Sequence, residues 1–448
     1  MPTEDAADLK ATRIERERFD ERRNATRARR RLALLGGTTT WGDALVAGRY
    51  LFSRRLIRGA AIAEYEREFA ARVGVRYGFT FAAGRVGLYG VLRALGIGAG
   101  DEVLLQVPTH IVVANAIRYT DAQPVYVDCD PESYTIDVED LERRITPRTK
   151  ALVLQHTFGI PADLDEVLAV VRRNKLELIE DCVHSLGAEY DGRQLGSFGR
   201  AAFFSTEETK TISSTMGGVV VTDDADLAAK LGAFQEQCAW PLRSLTRRYL
   251  LKLALYHALT QPPVHRYTRT LYERFGRRNP LPQATTPQEQ RGERPGDYEQ
   301  RLSNGQCAVA LRQLRRLGTN LNHRRAISNE YRERLGGREF TAPRVPPKGE
   351  AAFVRYPVAV KDRAAAVRRL SPHAVLGMWF TSVLEESVAP EVAGYAAGSC
   401  PNAERAARDL VNLPTHLRVQ LGDVDRLVDE LADATQPAEQ DWTRSIPQ

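Results

Sequence analysis

Between Phe79 and about Asp224 the chain alternates short apolar runs with longer segments of helical spacing. FTFAAG leads into GRVGLYGVLRALG, VLLQV into IVVANAIRYT, PVYVDCD into VEDLERRI, and KALVLQH into LDEVLAVVRRN. LELIEDC closes that series, and AAFFS and GVVVTDD follow it. Strands alternating with helices predict an α/β fold, a mostly parallel sheet with helices on both faces. Such a sheet gathers its ligands at the carboxyl ends of its strands.

The rest of the chain divides around this block. Residues 1–58 are a basic arm, in which nine arginines face four acids between Arg13 and Arg31. Residues 59–237 form the large domain, opened by a helix through IAEYEREFAARVG with Ile62, Tyr65, Phe69 and Val73 at helical spacing. Residues 238–297 look inserted. RSLTRRYLLKLALYHAL reads as a basic amphipathic helix, QPPVHRYTRTLYERFGRR is rich in aromatics and arginines, and NPLPQATTPQEQRGERPGD is a polar, Pro-rich loop. Residues 298–433 hold a helix through NGQCAVALRQLRRL and a smaller C-terminal α/β unit, with FVRYPVAV as a strand and DVDRLVDELAD as a helix. Residues 434–448 are expected to be a disordered tail.

Charge and cysteine usage narrow the class. The net charge is +6, and between Arg243 and Arg278 nine basic residues face one acid, Glu273. Clusters of this kind suit an anionic partner or a solvated helix face. Zinc-finger spacing and an RNA-binding aromatic motif are both missing, so nucleic acid is not an expected partner. In the inserted helix, Leu250, Leu251, Leu253, Ala254, Leu255 and Leu259 interleave with Arg247, Arg248 and Lys252, as in interfacial helices. Peripheral membrane contact through 243–278 is one reading; a dimer-contact or substrate-lid helix is the other. No stretch approaches the roughly 20 apolar residues of a membrane span, and no apolar signal core opens the chain. The expected location is cytoplasmic, with attachment to the inner membrane surface as the variant. Five cysteines, odd in number and without a C-x-x-C pair, read as small buried hydrophobes rather than a disulfide frame or metal site.

Four stretches at strand ends carry residue types suited to one task. In AAGRVGLYGVL, Gly84 sits where a strand turns into a helix, so backbone N–H groups at a positive helix terminus favour a phosphate; Arg85 adds a charged fork. In QVPTHIVVANAI, His110 ends a strand and offers a flat ring for stacking. In LELIEDCVHSLGAEY, Asp181 stands at the sheet's carboxyl edge, where it suits a protonated pyridine nitrogen, and His184 follows within reach of a ring hydroxyl. In FFSTEETKTISSTMGG, Ser205 offers a hydroxyl for phosphate and Lys210 an amine for a carbonyl. Burial and neighbouring cations would lower the pKa of that amine and free its nucleophilic form. Pyridoxal 5′-phosphate (PLP) needs all of these parts: a lysine for covalent attachment, an acid on the pyridine nitrogen, a ring stack and a phosphate cradle.

Taken in order, these motifs resemble those of the DegT/StrS family, fold-type-I PLP enzymes that are mostly nucleotide-sugar aminotransferases. The resemblance runs from about AEYEREFA (63–70) to Phe234, resumes at QRLSNGQCAVALRQL and returns in SCPNAERAARDLVNLPTH; EDCVHSLGAEYDGRQLGSFG is its most specific part. It implies that Lys210 is the covalent anchor and acid–base group, that Asp181 pairs with the pyridine nitrogen, and that His184 bonds the ring hydroxyl. It also implies that His110 stacks on the ring and that Gly84, Arg85 and Ser205 hold the phosphate. A homodimer is implied, with the helix after residue 298 at the dimer contact and Arg301 reaching the neighbouring site. The chain departs from the family's pattern at Arg85, at Thr206 and Glu207 before the lysine, at Met216 and at Glu299. The expected function is transfer of an amino group from an amino acid, glutamate in the family's usual case, to a nucleotide-linked keto-sugar. Two alternatives stay open: a lipid-linked or non-sugar ketone as acceptor at a membrane surface, and a PLP-binding protein that acts as a sensor or assembly partner without catalysis.

Overall fold

The computed structural model describes residues 30–34, 37–265, 267, 268, 284–336, 338, 340 and 342–435. Most of the N-terminal arm, the 269–283 part of the insertion and the tail beyond Thr435 lie outside the described residues. Seven strands form the central sheet: β1 (Tyr77–Phe81), β2 (Glu102–Gln106), β3 (Gln123–Val127), β4 (Thr149–Gln155), β5 (Glu177–Asp181), β6 (Ala201–Ser205) and β7 (Gly218–Thr222). Their order is β1-β7-β6-β5-β4-β2-β3. The run β6-β5-β4-β2-β3 is parallel, while β7 is antiparallel to both β6 and β1.

The apolar runs explain why helices cover both faces. In β2, all five residues are buried, as expected for a parallel strand roofed on each side. Successive side chains point to opposite faces. Val103 and Leu105 therefore join one core with Val86, Val91, Val153 and Val220, while Leu104 joins the other with Phe69, Leu152, Phe204 and Val219. Helix α1 (Trp41–Leu51) lies outside these two cores; the helices supplying the faces include α2 (Ala61–Val73), α3 (Gly84–Ala94) and α4 (Ile111–Arg118). A third core builds the smaller unit around the antiparallel pair β8 (Arg355–Ala359) and β9 (Leu410–Pro414), with Tyr331, Tyr356, Leu413 and Leu427 packed together.

The insertion joins the body of the protein. Helix α5 (Arg243–Leu259) is the basic helix expected from the sequence. Its Leu250 and Leu253 are buried with Ala47 of α1, Leu56, and Val309 of helix α6 (Asn304–Arg315). Leu251, Leu255 and Leu259 are exposed. The leucines therefore face two ways, and only one face is left for an interface. Two local expectations differ from the structure. The segment after Gly36 contains the well-formed α1, started by a Thr40–Asp43 capping box. The Pro-rich loop contains one short helix, Pro287–Gln290, whose capping box joins Thr286 to Glu289. Helix α7 (Leu317–Leu335) then links α6 to the small unit. Among the described residues, no helix is long and apolar enough to cross a membrane.

Candidate active site

Strand β5 ends in two adjacent acids with different surroundings. Glu180 is fully buried and accepts hydrogen bonds from the backbone N–H groups of Gly196 (2.8 Å), Phe198 (2.7 Å) and Gly199 (2.7 Å). It also lies 3.2 Å from His156 Nε2. Burial alone would raise its pKa, but the His156 contact and the N–H donors hold it below the ordinary carboxylate range. Glu180 thus braces the loop that follows EDCVHSLGAEY. Asp181, also fully buried, accepts Val183 N–H at Oδ1, 3.1 Å away. Its Oδ2 is buried with no hydrogen-bond partner among the described residues. Burial pushes Asp181 up to about 7, against the opposing pulls of Val183 N–H and the Lys210 charge.

Lys210 sits in the loop that leaves β6. That loop is pinned internally: Thr206 N–H donates to Gly217 O, Ser214 N–H to Thr206 O, each at 2.9 Å, and the Thr206 and Ser214 hydroxyls are 2.7 Å apart. Thr38 Oγ1 donates to the Lys210 carbonyl at 3.2 Å, tying the segment before α1 to the same loop. Burial lowers the Lys210 amine to about 8; Arg355 pushes the same way, while Glu207, Asp181 and Glu386 pull against it. A sizeable neutral fraction at neutral pH makes this amine a nucleophile. Its Nζ lies 4.1 Å from the ring centroid of Trp379.

Trp379 was not singled out by the sequence, and it organises this pocket. His184 stacks on it with centroids 4.2 Å apart and planes at 19°. Asn412 of β9 clamps its main chain, accepting from Trp379 N–H at 2.7 Å and donating to Trp379 O at 3.0 Å. His184 itself is buried, and its Nδ1 accepts Phe158 N–H at 3.4 Å. Burial holds its pKa well below the usual histidine value, with the Lys210, Arg355 and His110 charges adding to the effect. The imidazole is therefore neutral.

The remaining sequence candidates surround the same strand ends. His110 caps α4, and its Nε2 is 3.4 Å from Glu386 Oε2. The His110 contact is the main reason that Glu386 falls to about 2. Gly84 starts α3 against β6, where a Cβ would stand 3.1 Å from Phe204 O. A Cβ on Gly218 would collide with the Ala83–Gly84 backbone, so both glycines permit this close approach. Ser205 Oγ accepts Glu207 N–H at 3.2 Å. Arg85 turns to the insertion: its Nε is 2.5 Å from Glu289 Oε1, and its Nη2 donates to Ala284 O at 3.0 Å. Arg301 lies 4.6 Å over Trp240 of its own chain. It lines, with Ala82, Arg85, Glu289 and Gln306, a cleft of about 120 Å³. Lys210 is thus within charge range of Asp181 and shares the Trp379 ring with His184, whereas Arg85 and Arg301 share the neighbouring cleft. Trp379, Arg355, Glu289 and Glu386 lay beyond the sequence motifs, because each enters from a distant segment.

The profile of the DegT/DnrJ/EryC1/StrS aminotransferase family matches residues 46–253 and 260–432. The chain belongs to this family. It is 31% identical to GDP-perosamine synthase of Caulobacter vibrioides over 375 residues, 83% of this chain and 89% of that protein. It is 28% identical to the UDP-N-acetyl-3-dehydro-alpha-D-glucosamine 3-aminotransferase of Acidithiobacillus ferrooxidans, over 82% of this chain and 86% of the other. Among solved structures, DesV of S. venezuelae superposes with a TM-score of 0.69 at 26% identity, covering 89% of this chain and 95% of that one. This DegT/DnrJ/EryC1/StrS protein is accordingly a fold-type-I, PLP-dependent aminotransferase.

Its residues fit that cofactor on their own terms. The orphaned Asp181 Oδ2 is an acceptor awaiting a donor such as a pyridinium N–H, and an unpaired buried acceptor is otherwise costly. Bound PLP supplies an aldehyde carbon conjugated to an electron-withdrawing ring. Lys210 would hold that group and would serve as the base that moves the substrate's α-proton. Asp181 would hold the ring nitrogen through its unpartnered Oδ2. His184 and Trp379 wall one side of the half-buried Lys210.

Proposed function

We propose that this aminotransferase moves an amino group from glutamate to the ketone of a nucleotide-linked sugar. The observation that carries this is the half-buried Lys210 amine, lowered to about 8 and within charge range of the unpaired Asp181 carboxyl. That pair is the minimum needed to take nitrogen from one substrate and give it to another. Support for a sugar acceptor comes from relatives named for GDP-perosamine and for a UDP-linked 3-dehydro-glucosamine. In the same proposal Gly84, Arg85 and Ser205 hold the cofactor phosphate and His110 covers the ring. Incubation of the PLP-loaded enzyme with glutamate and a panel of nucleotide-linked keto-sugars tests it. Equimolar 2-oxoglutarate and an amino-sugar product, seen by mass spectrometry, are expected; 2-oxoglutarate release with no sugar of the panel aminated would contradict the sugar assignment.

We further infer a cytoplasmic homodimer with Arg301 near the subunit contact. Exposed apolar side chains on neighbouring α1 and α5, among them Trp41, Leu45, Leu251, Leu255 and Leu259, support a covered face. Sedimentation at micromolar concentration should give twice the 50.0 kDa chain mass. A lipid surface is the second reading favoured by that face. Flotation with anionic liposomes tests it, and a protein that stays at the bottom of the gradient removes it.

A further inference from the structure

Arg355 opens β8 and is 5% exposed, yet its guanidinium forms no hydrogen bond or ion pair among the described residues. Its contact is Trp379, whose ring centroid is 3.5 Å from Cζ. A buried cation without an anion is costly, and natural proteins retain one where something else supplies the charge. The charges of Glu207 and Glu385 reach it, but among the described residues no acid bonds it directly, and the oxygens of these acids are engaged elsewhere. Glu207 accepts from Thr209 N–H (3.0 Å) and Oγ1 (2.5 Å), Glu208 pairs with Lys252 (2.9 Å), and Glu385 accepts from Thr381 N–H (2.5 Å). Nearby Arg324, also buried, spends its guanidinium on Asn320, Val354 O, Thr415 and Thr38. Arg355 alone of this pair keeps its fork unspent.

The free fork lies next to the reacting amine. Arg355 Cζ and Lys210 Nζ touch the same indole, so the two are no farther apart than those two ring distances combined. Arg355 also lines a narrow cleft with Thr38, Thr209, Gly377 and Asn412, which reaches the loop that carries Lys210. A substrate that brings its reacting nitrogen to Lys210 can rest an anion on Arg355 only if the anion is a few bonds away. An α-amino acid has that spacing. The diphosphate of a nucleotide-linked sugar is separated from the ketone by ring atoms. Guanidinium also matches carboxylate bidentately.

We propose that Arg355, stacked on Trp379, is the seat for a substrate carboxylate beside Lys210, in the first instance the α-carboxylate of the amino donor. This rests on the aminotransferase reading above and adds the donor's anchoring point. Gly377 contributes by absence: a Cβ there would overlap Arg355 Nη1. The proposal makes Gly377→Ala a second way to displace the fork without changing charge.

The test uses PLP-loaded wild type, R355Q, R355K and G377A, with melting temperature and cofactor absorbance confirming that each is folded and loaded. Calorimetric titration with succinate, an unreactive dicarboxylate, reads the anion seat without turnover. Wild type is expected to bind it, R355Q and G377A about tenfold or more weaker, as for loss of a charged hydrogen bond, and R355K in between. In the donor half-reaction, followed by loss of the lysine-bound cofactor's visible absorbance, R355Q raises the half-saturating glutamate by a similar factor with a smaller effect on the limiting rate. A defect confined to acidic keto-sugars in the second half-reaction would assign the seat to the acceptor's carboxylate instead. Equal succinate binding and equal half-saturation in wild type and R355Q overturn the proposal. Absence of conversion by wild type with any donor would fail the function proposed above, while the succinate titration still decides the role of Arg355.

Discussion

Glu180 and Asp181 are neighbours in sequence but face opposite sides of β5. Glu180 collects three backbone N–H groups, and Asp181 leaves one oxygen unpaired beside Lys210. The first acid holds the fold and the second is held ready for a ligand. E180Q is expected to lower unfolding free energy by about 1.5–3 kcal/mol, the range for a hydrogen-bonded charge, measured by urea denaturation. D181N is expected to keep its stability and lose activity by about 10²-fold or more. Equal loss of stability in both variants would contradict this division.

Lys210 gives a pH dependence with a definite sign. Its pKa in the fold is about 8, below the ordinary 10.5, so the fold favours the neutral amine. The energetic cost of burying its charge is present below pH 8 and disappears as pH rises from 8 to 10.5. In the apoenzyme, capture of PLP by Lys210 should accelerate with pH and level off above an inflection near 8. Stopped-flow absorbance on mixing apoenzyme with PLP reads this; an inflection near 10.5 contradicts it.

The Arg85–Glu289 pair links the start of α3 to the insertion at 2.5 Å. Removing one charge from a pair this buried strands the other. E289Q should therefore melt at lower temperature than wild type without cofactor. It should also gain more from added PLP, because the freed Arg85 can hold phosphate. Thermal scans across a PLP series test this, and an identical PLP response in both proteins rules out a role for Arg85 at the phosphate.

The two faces of α5 predict opposite behaviour. Leu253→Ala should cost about 2–5 kcal/mol, as for a core leucine, because Leu253 packs with Ala47, Leu56 and Val309. Leu255→Gln on the exposed face should change the monomer's stability by no more than about 0.5 kcal/mol. Chemical denaturation at low protein concentration measures both.

The strand–helix alternation made the sheet legible from the sequence, because β-strand and helix periods differ and turn residues punctuate them. Asp181 and Lys210 were legible too, since both lie at strand ends within the alternating block. Three things were not. The docking of α5 on α1 joins segments nearly two hundred residues apart, and periodicity shows an apolar face without naming its partner. The pairing of Arg85 with Glu289 joins the start of α3 to the insertion, and no local signal announces it. Trp379 and Arg355 sit in the C-terminal unit, in a segment without a motif, and only the folded chain brings them to Lys210. The chain's departure at Thr206 also acquires a physical meaning: its hydroxyl pairs with Ser214 and braces the lysine loop.

Lys210 is the proposed covalent anchor of this aminotransferase. Borohydride reduction of the PLP-loaded enzyme, followed by proteolysis and mass spectrometry, tests it most directly. A reduced phosphopyridoxyl adduct on the peptide carrying Lys210, absent after pretreatment with glutamate, is the predicted result. An adduct on another lysine, or none, contradicts it.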